Sequence, residues 1–154
     1  MTRLYDPIRR SWVERTPEEE VRQQLIDQMI HALQFPKSLV VVEKELEQLP
    51  HLQGKVWPAQ KRRIDILAFG RQIHPHYSLY PLLMIECKAE ADLKMAIEQI
   101  IGYNYYVRSY FLSVANQKEV KTFWYDKQKK EYLFIPRLLS YREMMKECAP
   151  CKSR

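Results

Sequence analysis

Glycine is scarce in this chain, with 3 in 154 residues, at Gly54, Gly70 and Gly102. Phosphate-gripping loops of the Gly-x-x-x-x-Gly-Lys-Ser/Thr kind need clustered glycines so that backbone amides can approach the phosphates. The sequence contains no such loop, which excludes an ATP-driven motor from these residues. Long apolar runs are missing too: none approaches the roughly 18 residues that suggest a membrane span. The opening Met1-Thr2-Arg3-Leu4-Tyr5-Asp6 has no apolar signal segment, so a cytoplasmic chain without a membrane partner is expected. Cysteine is limited to Cys87, Cys148 and Cys151. An odd count with one member in an apolar strand argues against a disulfide framework and for a reducing compartment. Cys148-Ala149-Pro150-Cys151 is a lone Cys-x-x-Cys without the further ligands that structural zinc takes.

What is present suits one soluble domain with a real core: 46% hydrophobic, 12% aromatic and 29% charged residues. The net charge of +6 permits attraction to a polyanion such as nucleic acid. Residues 1–15 read as an N-terminal arm, 16–146 as an α/β domain and 147–154 as a flexible tail. Thr16-Pro17-Glu18-Glu19 has the residues of a helix start, with Thr as N-cap and Pro in the first turn. Val21, Leu25, Met29 and Leu33 then form a buried stripe. Strands are predicted at Leu39–Glu45, around Asp65, up to Lys88, at Tyr110–Val114 and at Val120–Tyr125, the last as the edge strand, with Glu131–Ile135 available to pair back. A second helix is predicted over Ala89–Val107, and a short helix or loop over Leu138–Met145. This order implies one layered α/β structure.

Within that layout, Arg63-Ile64-Asp65-Ile66-Leu67-Ala68-Phe69 and Pro81-Leu82-Leu83-Met84-Ile85-Glu86-Cys87-Lys88 carry the chemistry. Successive strand side chains alternate in facing. Glu86 and Lys88 therefore share a face opposite Cys87, and Asp65 is expected opposite Ile64 and Ile66. Charges at the ends of such apolar strands are rare unless paired or holding a metal. Asp65 and Glu86 offer the carboxylates that Mg²⁺ prefers, the Cys87 backbone carbonyl offers a third oxygen, and Lys88 can act on water or phosphate.

Ile64-Asp65 followed about twenty residues later by Glu86-Cys87-Lys88 resembles the PD-(D/E)xK nuclease pattern, with Ile64 in the place of its proline. Other segments occur in order with it: Asp6-Pro7-Ile8-Arg9, Trp12-Val13, Thr16-Pro17-Glu18-Glu19, Val21-Arg22-Gln23, Val42-Glu43-Lys44 and Gln99-Ile100-x-x-Tyr103-Asn104. Together, over roughly residues 5–125, they resemble the N-terminal nuclease domain of type I restriction enzyme R subunits. The resemblance implies a restriction-endonuclease-like fold, a central mixed sheet flanked by helices. It also implies metal-dependent DNA cleavage with Mg²⁺ or Mn²⁺ at Asp65, Glu86 and Lys88. It further implies a supporting glutamate on the first helix, for which Glu18 is preferred over Glu19 because it shares the face of Val21 and Leu25. Gln99 would orient the lysine or the DNA, with Tyr103 packing beside it and available to DNA.

Lys61, Arg62 and Arg63 are candidate DNA contacts or a solvated strand start. His74 and His76 are expected to be surface residues of a loop. Without a phosphate loop, the chain is expected to be a stand-alone relative or a fragment of an R subunit. DNA, a separate motor or specificity subunit and a second copy of the chain are the expected partners. The rival expectations are a catalytically silent DNA-binding or complex-assembly domain of the same fold, and a nuclease directed at RNA or at repair.

Overall fold

The computed structural model describes residues 2–54 and 63–148. A central sheet of six strands runs β3 (Val40–Glu45), β4 (Arg63–Arg71), β5 (Leu79–Cys87), β6 (Phe111–Ala115), β7 (Val120–Asp126) and β8 (Glu131–Ile135), in that spatial order. β5 and β6 are parallel; every other neighbouring pair is antiparallel. The parallel pair requires a crossover, and helix α2 (Lys94–Val107) supplies it. α1 (Pro17–His31) and α3 (Tyr141–Cys148) pack together on one face: Val21, Leu25, Ile26, Met29, Met144 and Cys148 share a buried cluster with Ile66, Ile85 and Cys87. α2 covers the other face, where Leu93, Ala96 and Ile100 meet Ile64, Leu67, Met84 and Leu112. The result is an α/β structure with a mixed six-stranded sheet between two helical layers.

The first helix forms where its sequence indicates. Thr16 is its N-cap and accepts the Glu19 amide at 3.0 Å, with Pro17 in the first turn. The expected N-terminal arm contains a hairpin, β1 (Arg3–Asp6) against β2 (Ser11–Glu14), with Tyr5 opposite Trp12. Other expectations need correction. α2 begins at Lys94 instead of Ala89. The Asn116 side chain donates to the Glu90 and Ala91 carbonyls at 3.0 and 2.9 Å and ties that stretch to the end of β6. β7 is internal, because β8 pairs along it and takes the edge. Glu147 and Cys148 belong to α3, with Cys148 buried, where a tail was expected. Cys151, like Lys61 and Arg62, lies outside the described residues.

Ile26 is fully buried at the centre of the α1 layer. Truncation to alanine removes apolar contacts and leaves a cavity, at a cost of about 2–5 kcal/mol. Thermal denaturation of Ile26→Ala should show a fall in Tm on the order of 10 °C. An unchanged Tm would contradict the packing of α1 on the sheet.

Candidate metal and phosphate site

Because β4 and β5 are antiparallel with Ile66 opposite Ile85, the start of β4 and the end of β5 lie at the same end of the sheet. That brings Asp65 to the Glu86–Lys88 corner. The Asp65 Oδ2 accepts the Cys87 backbone N–H at 2.8 Å, so its carboxylate is tied to the residue between Glu86 and Lys88. Lys88 lies just past the strand, its amide donating to the Ala115 carbonyl at 2.9 Å. Its Nζ is 3.9 Å from Glu86 Oε2. The Cys87 side chain enters the α1-side core, opposite Glu86 as the alternation requires.

The expected facing of Asp65 is corrected in part. Ile64 joins the α2-side core and Ile66 the α1-side core, so alternation breaks across Asp65. The β3–β4 pairing passes from Val42 opposite Ile66 to Lys44 opposite Ile64. Glu43, between them, has φ +53°. A left-handed conformation is uncommon for a residue other than glycine, and strained backbone of this kind concentrates at functional sites. The departure lets Glu43 reach the same charge cluster as Asp65.

That cluster contains residues the sequence reasoning did not assign. Arg22 is buried on α1. Its Nη2 donates to Asp65 Oδ1 at 2.9 Å, and its Nη1 donates to Glu19 at 2.9 Å and Glu43 at 3.2 Å. Arg9, in the hairpin turn, donates through Nη2 to both Glu19 oxygens at 2.8 and 2.9 Å, and through Nη1 to Glu43 at 3.3 Å. Its Nε meets the fully buried Asp6 at 2.5 Å. Burial works against the Arg22 cation, but Asp65, Glu19 and Glu43 outweigh it and hold the guanidinium firmly charged. The missed residues all fall in segments already singled out: Asp6-Pro7-Ile8-Arg9, Val21-Arg22-Gln23 and Val42-Glu43-Lys44.

The helix glutamate that turns inward is Glu19; Glu18 is exposed. The preference for Glu18 followed from a stripe through Val21 and Leu25. The buried face also includes Arg22 and Ile26, three and seven residues after Glu19, which rotates it toward Glu19. Gln99 and Tyr103 are joined on α2, the Gln99 amide donating to the Tyr103 hydroxyl at 2.6 Å. Among the described residues Gln99 makes no hydrogen bond to Asp65, Glu86 or Lys88. Arg63 is largely exposed and forms a long 3.5 Å contact with Glu45. His74 stacks on Tyr80 at 4.3 Å, in the loop at the opposite end of β4 and β5.

The family model for the type I restriction enzyme R protein N terminus matches residues 17–138, from the start of α1 past the end of β8. The chain belongs to that family. Membership points to a role in a restriction system. The match takes in both strand ends of the site, α1 and α2, and does not include the β1–β2 hairpin. No curated protein and no solved structure is similar enough to the chain to add to this.

Burial pushes the Glu86 carboxyl up to about 8, with the Asp65 charge adding to the shift and Lys88 opposing it. Its pKa in the unfolded chain is about 4.3. Between those values the folded protein holds the extra proton, so stability falls as pH rises through that window. In chelator, Glu86→Gln should therefore match wild type near pH 4 and exceed its Tm on the order of 5 °C at pH 9. A wild-type Tm that is flat from pH 5 to 8 would refute this burial of Glu86.

Proposed function

We propose that this chain is a metal-dependent DNA endonuclease module of restriction-endonuclease-like fold and PD-(D/E)xK type, using Mg²⁺ or Mn²⁺. The observation that carries the proposal is the hydrogen bond from the Cys87 amide to Asp65, which holds one carboxylate against the strand end that bears Glu86 and Lys88.

The donor set suits a hard divalent ion. Among the described residues no three His, Cys, Asp or Glu side chains gather as a complete cage. Mg²⁺ does not need one, because it is commonly bound by one or two carboxylates, with water and substrate phosphate as its other ligands. Charge balance points the same way. The carboxylates of Asp6, Glu19, Glu43, Asp65 and Glu86 face Arg9, Arg22 and Lys88 through linked ion pairs, which leaves two negative charges in excess when Glu86 is ionised. Asp65, Glu86 and the Cys87 carbonyl would hold the ion, which when bound polarises the phosphate and eases ionisation of a water.

Lys88 extends its ammonium beside Glu86, where it can donate to the attacking water or to a phosphate oxygen as charge accumulates there. Glu86 is kept nearly dry, so its negative charge is costly without a cation to answer it. Glu19 serves the site through the arginines. Glu18, exposed, has no comparable place in it. Gln99 and Tyr103, on the α2 side, would meet the DNA beside the cut, with Arg63 and the basic residues Lys61 and Arg62 along its backbone. One such centre cuts one strand at a time, so a double-strand break would need a second copy or a second cut, and a motor or specificity subunit would be a separate partner.

Supercoiled plasmid incubated with Mn²⁺ tests this. Wild type should nick or linearise it, and chelator should abolish cutting. Asp65→Ala and Lys88→Ala should each slow it roughly 100-fold or more. Equal cutting by the variants would refute the site, cutting of RNA alone would refute the DNA assignment, and gel retardation without cutting would identify a silent binding domain.

A further inference from the structure

We propose that Arg9 and Arg22 are positioning residues for the carboxylates of the site, and that the β1–β2 hairpin, outside the matched family residues, is therefore a working part of it. The inference rests on the nuclease proposal and extends it to residues with no assigned role there.

The geometry forms one continuous path. Asp6 is fully buried and caps the hairpin turn, its Oδ1 accepting the Ile8 and Arg9 amides at 2.7 and 3.1 Å. That turn aims the three guanidinium nitrogens of Arg9 at three carboxylates: Nη2 donates to both Glu19 oxygens, Nη1 to Glu43 and Nε to Asp6. Glu19 and Glu43 then both accept from Arg22 Nη1, and Arg22 Nη2 reaches Asp65. Asp65 is thus held from two sides, by Arg22 on α1 and by the Cys87 amide on β5. A carboxylate with both oxygens engaged has little rotamer freedom, so a cation arriving there would find its ligand already aimed.

The chemistry of the network argues against ordinary surface pairing. Arg22, at 6% side-chain exposure, is shared among three carboxylates, and its Nε has no hydrogen-bond partner among the described residues. A buried guanidinium pays heavily for desolvation, and removing one member of such a network leaves the others buried and uncompensated. A fold needing only a core at this position is served equally well by an apolar residue. The planar fork of arginine, in contrast, fixes carboxylate direction as well as charge. Arg9, at 23% exposure, is the more accessible of the two arginines, although its removal leaves buried Asp6 without its cation, so Tm is read beside activity.

The test compares wild type, Arg9→Ala and Arg9→Lys in the full chain. The readouts are Tm in chelator, Mn²⁺ affinity by calorimetry, and kcat and KM on plasmid DNA. Arg9→Ala should stay folded and lose about 10–100-fold in Mn²⁺ affinity or kcat, with KM for DNA little changed. Arg9→Lys, which keeps the charge without the fork, should recover only part of that loss. Arg22→Lys should behave in the same way as Arg9→Lys, but with a larger loss. Wild-type Mn²⁺ affinity and kcat in folded Arg9→Ala would overturn the positioning role and leave the nuclease proposal standing. Full recovery by Arg9→Lys would overturn the directional role of the fork. A wild-type chain that neither binds Mn²⁺ nor cuts DNA would overturn both proposals.

Discussion

Asp65 is the point at which the layers of this protein are fastened together. One of its oxygens takes a guanidinium from α1 and the other takes a backbone amide from the end of β5. Its own strand lies between β3 and β5, so the acid faces neighbours contributed from both sides. Each of these bonds involves an ionised acceptor, the stronger class of hydrogen bond, in a setting mostly shielded from water. The Glu86–Lys88 corner is built against this residue, and through Arg22 and Glu19 the N-terminal hairpin is built against it as well. The restriction-family core and the segment before it thus meet at Glu19 and Glu43, which Arg22 links to Asp65.

The cluster is electrostatically expensive. Buried Glu86 gains a proton that the unfolded chain would not hold, and Glu43 adopts a backbone conformation that non-glycine residues avoid. That cost is offset by two apolar cores, on the α1–α3 and α2 sides of the sheet. Such local cost at one strand corner is what the proposed nuclease centre would require.

Much of this was legible in the residues. The α1 start, the strands bearing Asp65 and Glu86, and the opposite facing of Glu86 and Cys87 follow from capping chemistry and from alternation. Period and side-chain preference act over a few residues and need no knowledge of distant neighbours. Failures came where a distant neighbour decided. Asn116 holds the Glu90–Ala91 carbonyls, β8 covers β7, and the irregularity at Glu43 breaks the alternation around Asp65. Glu18 and Glu19 differ by one helical step, about 100°, and the choice between them turned on Arg22 of the same helix and on Arg9, which approaches from a hairpin that read in sequence only as an arm.

The sequence by itself determined the layered α/β plan, the acids and lysine on apolar strand ends, and the resemblance that family membership bears out. Those depend on residue type and local period, which linear order carries intact. Only the tertiary structure decided which glutamate turns inward, that Arg9 and Arg22 bind the acids together, and that the hairpin belongs to the same cluster. Such contacts join residues up to 43 positions apart, and their geometry exists only once the two helical layers have closed on the sheet.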